Sequence, residues 1–328
     1  MKSMTKRERL EATINGAPVD RVAVALWRHW PGDDQTGVEL ARSALDFQKI
    51  FDFDFMKVTW GAEYCVADWG VESRYVGNDD GTRQWTKRAV NSVEDWAKLK
   101  VLDPRKGMLA EVVTALNLIN KGAGDVPFLQ TIFSPLSQAK FLSGDRLMVD
   151  IRTNPDAFKA GMETITESSI RLMEAIRPTG IAGVFFALQY AVYDRMSEAE
   201  YREFAQPYDL RVLEAAKGLW FNLLHLHAEN VMFDLAAAYP VHGINWHDRE
   251  TPPTLKEAMD LFPRALVGGM RRVETMLRGT PEQVRAEALD AIEQTGGKRL
   301  ILSTGCVSSV NAPWANLRAA RQVVEGKH

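Results

Sequence analysis

Cysteine is scarce: only Cys65 and Cys306 occur in 328 residues. Two thiols cannot make a disulfide framework, and their rarity suits a reducing compartment. An excess of charge of one sign is also lacking. Lys and Arg number 40 against 43 Asp and Glu, a formal net charge of −3, and no basic run stands out, so nucleic acid is not an expected partner. No run of about 18 apolar residues exists, so no membrane-spanning helix is expected. The first residues, Met1 to Arg9, enter a charged amphipathic segment without the apolar region of a secretory signal. A cytoplasmic location is the resulting expectation. Neither a Gly-x-Gly-x-x-Gly turn nor a phosphate-binding glycine loop follows the first strand, which argues against a nucleotide-binding open sheet. Low-complexity linkers and short repeats are missing too, so residues 1–328 are expected to form one domain.

What is present is ordinary globular material, 46% hydrophobic and 25% charged, arranged in a regular alternation. Short apolar strands are expected at Arg21–Trp27, Phe53–Thr59, Val126–Phe133, Ile181–Leu188, Phe221–Glu229, Val241–Trp246, Ala265–Gly269 and Leu300–Ser303. Helical patterns separate them, among them Leu147–Ile176 and Ser197–Leu219, the latter opening on the capping-box sequence Ser197-Glu198-Ala199-Glu200. Between the second and third strands, Trp69–Val76 and Thr82–Thr86 flank Gly77-Asn78-Asp79-Asp80-Gly81, a hairpin signature. Eight strands with helical crossovers predict the α/β class, a single (β/α)8 TIM barrel with a β-hairpin inserted after strand two.

The stretch Phe221-Asn222-Leu223-Leu224-His225-Leu226-His227 carries the first chemical signal. Strand side chains alternate faces, so His225 and His227 point the same way. Such a pair is either two hydrogen-bonded core histidines or two ligands of one metal ion, if a third donor arrives. Cys306, after the eighth strand, is the best third donor, and all three then sit at the C-terminal rim where barrels of this kind place their sites. Other polar and aromatic residues fall at the same rim. Trp27 ends strand one and Arg28 and His29 follow it, Gln189 and Tyr190 follow strand four, Trp246, His247 and Asp248 strand six, and Arg271 and Arg272 strand seven. Trp27, Trp30, Trp60 and Trp246 there would make an aromatic pocket. Asp54 lies within strand two. His29 and His242 have no supporting spacing and are read as structural.

Gly16-Ala17-Pro18-Val19-Asp20-Arg21-Val22-Ala23-Val24 resembles the opening "G-x-x-x-D-R-x-P-V" of the uroporphyrinogen decarboxylase superfamily. Asp54-Phe55-Met56-Lys57-Val58 resembles its second-strand aspartate segment, and residues 135–144 its "P-x-T-x-A-x-x-L-x-G" helix. Residues 196–208 are similar to "S-P-x-x-F-x-x-F-x-x-P-Y" and Ile244-Asn245-Trp246-His247-Asp248 to "x-x-D-W-x-x-D". Ser303-Thr304-Gly305-Cys306-Val307 with Asn311-Ala312-Pro313 stands where the family has "G-[HC]-G-I … T-P". The resemblance implies one of two activities. Decarboxylases carry "M-R-Q-A-G-R-Y" after strand one, whereas this chain has Leu26-Trp27-Arg28-His29-Trp30-Pro31-Gly32, which keeps one arginine and loses the other. Cobalamin-linked methyltransferases, of the methylcobamide:coenzyme M kind, carry a zinc-binding "H-x-C" at strand five and a cysteine after strand eight. Here His225-x-His227 and Cys306 match that set with one thiolate exchanged for imidazole.

The reading that follows is a zinc-dependent methyltransferase. It would move a methyl group between a corrinoid (methylcobalamin, free or on a partner protein) and a thiol or folate acceptor, as in an O-demethylation pathway. Zn2+ would be bound by His225, His227 and Cys306. Trp27, Arg28, Gln189, Trp246, Asp248 and Arg271 would contact the substrate, and Asp54 and Tyr190 would serve the chemistry, Asp54 facing the mouth. Glu229 and Asp248 would orient the imidazoles. The expected partners are a small-molecule substrate and a corrinoid protein, and a homodimer is compatible with this. The alternatives are a carboxy-lyase acting on a non-standard substrate and a metal-free tetrapyrrole-binding protein. Uroporphyrinogen itself is not an expected substrate, because Asp33 and Asp34 follow the Arg28 loop and would repel its carboxylates.

Overall fold

The computed structural model describes residues 3–325. The eight barrel strands are β1 (Ala23–Val24), β2 (Met56–Val58), β5 (Phe128–Phe133), β6 (Gly183–Leu188), β7 (Leu223–Leu226), β8 (Gly243–Asn245), β9 (Ala265–Met270) and β10 (Leu300–Thr304), with β3 (Glu72–Tyr75) and β4 (Arg83–Lys87) forming the hairpin between the second and third of them. They run in the order β1-β10-β9-β8-β7-β6-β5-β2, every pairing parallel, while β3 and β4 pair antiparallel. Each barrel strand is buried along its whole length, because helices cover the outside and side chains fill the inside. The expected α/β barrel with its inserted hairpin is the fold observed.

Two helical expectations divide, each at a proline. Residues 147–176 form Arg146–Thr153 and Pro155–Ile176, broken at Asn154. Residues 197–219 form Glu198–Phe204 and Gln206–Ala215, with Ala205 between them. Pro155 and Pro207 lie in the first turn of the new helix, where a missing N–H costs nothing.

The barrel closes between β1 and β2 through one side chain. Asp54 donates its N–H to Val24 O at 2.9 Å and accepts the Val24 N–H on Oδ2 at 2.8 Å. Arg21 and Arg9 complete the carboxylate, Nη1 of Arg21 reaching Oδ2 at 2.8 Å and Nη1 of Arg9 reaching Oδ1 at 2.7 Å. Asp54 is fully buried in this network. Its expected position facing the mouth is therefore corrected: both oxygens are occupied by guanidinium and backbone donors at the seam, and it does not line the cavity described below.

The hairpin arches across the mouth to the opposite loops. Arg272, after β9, donates to Asp80 Oδ1 at 2.6 Å, and Asn311, after β10, donates to Asp79 Oδ1 at 2.7 Å.

Outside the barrel, Tyr201 and Tyr239 both donate to Asp209 Oδ2, at 2.8 and 2.9 Å, while Oδ1 has no partner. Burial pushes this carboxyl up to about 7, against the two hydroxyls that lower it.

Two outcomes are expected. Asp54→Ala removes the acceptor of the Val24 N–H and leaves Arg21 without its carboxylate, Arg9 keeping Asp20, and should cost about 3–5 kcal/mol, read by urea unfolding followed through tryptophan fluorescence. Asp209 binds its proton more tightly folded than unfolded, so its contribution is full below about pH 4, declines as pH rises through about 7, and then levels off. Asp209→Asn should therefore unfold at a urea midpoint that falls less between pH 5 and pH 8 than that of the natural chain.

Candidate metal centre

β7 is buried throughout, and His227, just past its end, extends the pairing by donating its N–H to Leu188 O at 3.1 Å. That contact keeps the two-residue alternation running, so the His225 and His227 rings enter the same rim. Cys306 arrives from the end of β10. A Cβ on Gly305 would lie 2.6 Å from the His247 Cα and 2.9 Å from Trp246 O, so only glycine lets this turn sit against the strand end of β8. The Thr304 hydroxyl then donates to Cys306 O at 2.6 Å and holds the turn.

Cys306 Sγ lies 3.7 Å from His225 Nε2 and 3.7 Å from His227 Nδ1. His247 is the fourth member, and the four ligand atoms all lie within 4.8 Å of one another. A tetrahedral ion with ordinary zinc bond lengths holds sulfur and nitrogen roughly 3.6 Å apart, so the spacing suits a metal.

Supporting contacts aim the rings. Asn245 Nδ2 donates to Val267 O at 2.8 Å and to Thr304 O at 3.1 Å, which turns its Oδ1 towards His225 Nδ1 at 2.7 Å. His225 therefore carries its proton on Nδ1 and offers the Nε2 lone pair to the cluster. His247 Nδ1 is 2.7 Å from Glu250 Oε2, and its Nε2 is buried without a hydrogen-bond partner. A buried ring nitrogen with no partner beside a thiol is a place a cation would satisfy. The donor set fits a zinc ion.

The electrostatics agree. Burial alone would raise the Cys306 thiol, yet the surrounding imidazoles, His225 foremost, hold it well below its ordinary value. Burial lowers His247, but the Cys306 thiolate and the Glu250 carboxylate beside it overcome this and push the ring up to about 9. Burial lowers His225, partly offset by Cys306.

His225, His227 and Cys306 form part of the wall of a cavity of about 380 Å³, within the usual range of ligand pockets. Trp27 and Gln189 line it, as expected; Tyr190 does not, though it is buried. Four more expected contacts are elsewhere. Arg28 stacks over Trp30 at 4.7 Å. Trp246 packs on Phe233 and donates to Pro253 O, Asp248 accepts the Gly269 N–H, and Arg271 pairs with Glu287. The reason is alternation: Asn245 and His247 face inward, so Trp246 and Asp248 between and beyond them face away. Asn245 and Glu250 hold the imidazoles in place of the expected Glu229 and Asp248. Sequence reasoning placed His247 at the rim but gave it no ligand role, though it stands two residues after Asn245. It placed Arg272 at the rim without a role and read His29 as structural, yet both line the cavity, as does Lys57, which was visible as a lone charge in an apolar strand.

The family model described as uroporphyrinogen decarboxylase (URO-D) matches residues 5–326. The chain belongs to that family. Among solved structures, a methyltransferase from Methanosarcina mazei superposes with a TM-score of 0.86 at 20% identity, covering 98% of this chain and 99% of that one. A vitamin-B12-independent methionine synthase from a Shewanella species, in complex with selenomethionine, gives 0.58 at 15% identity over 88% and 87% of the two chains. A putative vitamin-B12-independent methionine synthase from Listeria monocytogenes gives 0.52 at 11% identity over 88% and 85%. At these identities the likeness establishes the shared fold. No curated protein matches the chain.

For this member of the family, Asn245→Leu should weaken zinc binding about 10–100-fold, the usual effect of losing a ligand's supporting contact. Competition with a chromogenic chelator reads the affinity, and an unchanged far-UV circular dichroism spectrum shows that the barrel is intact.

Proposed function

We propose that this chain is a zinc-dependent methyltransferase, moving a methyl group between a corrinoid, free or carried by a partner protein, and a small acceptor such as a thiol or a folate. The observation that carries the reading is the convergence of three imidazoles and one thiol, with His225, His227 and Cys306 lining the cavity and two of the rings already oriented by partners on their far nitrogens. The M. mazei methyltransferase, similar over nearly the whole chain, supports the choice of reaction. His225, His227 and Cys306 would hold one Zn2+, with His247 as fourth donor. Bound there, the ion supplies Lewis acidity that lowers the pKa of an acceptor thiol.

The chain's own residues supply the rest. Three neutral imidazoles and one thiolate carry a single negative charge, so the set does not neutralise a divalent cation. His247, the one donor outside the cavity lining, would complete the set behind the other three. Its Nδ1 is already tied to Glu250, which orients the ring. The aromatic lining and the hairpin above it limit water at the reacting atom. A cavity of about 380 Å³ takes a small molecule, so a corrinoid would approach from the rim.

Decarboxylation in the uroporphyrinogen manner has less support. Arg28, the one arginine retained from the decarboxylase loop, is turned onto Trp30. Asp54 is consumed by the barrel seam.

Purified chain should hold about one zinc per molecule, and Cys306→Ala should hold little. With methylcobalamin and a panel of thiols and tetrahydrofolate, the natural chain should demethylate the corrinoid, seen by its visible spectrum. The Cys306→Ala rate should fall about a hundredfold or more, beyond the effect of losing a supporting contact. Carbon dioxide release from a carboxylated substrate without methyl transfer would favour the lyase instead, and unchanged metal content in Cys306→Ala would reject the ligand set.

A further inference from the structure

Charge accounting around the cavity leaves one wall incomplete. Arg83 is paired with Asp34 at 2.7 Å and with Glu63 at 2.6 Å, and Arg272 with Asp80 at 2.6 Å. Lys57, on β2, has no acidic partner among the described residues. Its ammonium contacts Thr59 Oγ1 at 3.3 Å and the face of Phe185 at 4.7 Å, and the residue is only 9% exposed. Two further polar atoms of the same wall are buried and unmatched, Trp60 Nε1–H and His29 Nδ1. All three residues come from β1 and β2 or the loops after them, whereas the thiol and imidazoles come from β7, β8 and β10. A buried cation with unused hydrogens, beside an indole N–H with no acceptor, is unfavourable until an anion arrives.

The remaining surface is largely aromatic. Trp27 and Phe185 meet edge to face at 5.2 Å, and Trp85 of the hairpin stacks on Phe141 at 5.1 Å. Ring faces and edges at this density favour another ring over an alkyl chain of equal size.

We propose that the cavity binds a single aromatic ring carrying one carboxylate, with Lys57 and the Trp60 N–H holding the anion and the ring lying among Trp27, Phe185 and Trp85. One unpaired cation admits one negative charge, and the volume admits one ring system rather than a tetrapyrrole. Calling this ligand a donor or acceptor of methyl rests on the methyl-transfer reading; its binding does not.

The test is calorimetric titration of the full chain as purified, with benzoate, benzamide and cyclohexanecarboxylate as probes. Benzoate should bind at least about tenfold more tightly than either control, since it alone offers both the ring and the charge. Lys57→Met should bring benzoate down to the benzamide level, Lys57→Arg should keep most of the difference, and Trp85→Leu should remove the preference over cyclohexanecarboxylate. Cys306→Ala should still bind benzoate, separating this site from a carboxylate on the metal. Benzoate binding no tighter than benzamide, binding unchanged in Lys57→Met, or binding lost in Cys306→Ala would overturn the proposal. If Lys57→Met does not fold, Lys57→Arg and Trp85→Leu decide it. Benzoate bound with no methyl transfer to any acceptor would reject the methyl-transfer reading and leave this site standing.

Discussion

The arrangement at the barrel mouth depends on one buried amide. Asn245 extends from β8, accepts from His225 Nδ1 of β7 through Oδ1, and donates to carbonyls of β9 and β10 through Nδ2. Four consecutive strands are therefore joined at the level where their side chains converge. An amide has one acceptor end and one donor end, and here both carbonyls take the donor end, so the acceptor end has a single orientation left. That orientation sets the tautomer of His225, and through it the direction of the lone pair. A leucine of the same shape would fill the space but set neither.

The opposite requirement, closing the cylinder, is met by charge instead of a neutral amide. β1 is only two residues long and β2 only three, so the usual ladder cannot span the seam. Asp54 supplies a backbone donor and a carboxylate acceptor to the same residue, Val24, and the two arginines compensate its burial. The same aspartate could not also serve a cavity, since every strong acceptor direction is in use. In this chain the acid of the second strand is a closure element, and the cavity-facing group of that strand is Lys57.

The fold was legible because strand and crossover periods differ, and a buried parallel strand reads as a short apolar run between helical patterns. The convergence of His225, His227 and Cys306 was legible for a related reason: in a barrel, every strand's C-terminal end reaches one rim. Trp246, Asp248 and Arg271 show where that reasoning stops. Being at the rim says nothing about which way a side chain turns, and the turn is decided by alternation relative to Asn245 and by partners far along the chain, such as Gly269 and Glu287. His247 illustrates the same point from the other side. Its neighbours in sequence, a tryptophan and an aspartate, look more chemical than it does, yet the alternation gives it the inward position. Gly305 was equally hidden, since its role is the absence of a side chain at a contact that only the folded structure creates.

Charge then separates the mouth into two halves. The β7, β8 and β10 side carries a thiol held low by imidazoles, and it gathers nitrogen and sulfur donors with Glu250 behind them. The β1 and β2 side carries Lys57, drawn down to about 7 by burial, and His29, drawn down to about 4 by the same cause. Burial lowers both, and the Cys306 thiolate across the cavity only partly offsets it, whereas His247 rises because Cys306 and Glu250 lie against it. One half is therefore built to receive a cation and the other to receive an anion, with the aromatic lining between them. A ligand that spans the cavity meets both, so its polarity is imposed: its negative end towards β2 and its reacting end towards Cys306. Orientation of that kind comes from the protein's fixed charges before any chemistry begins.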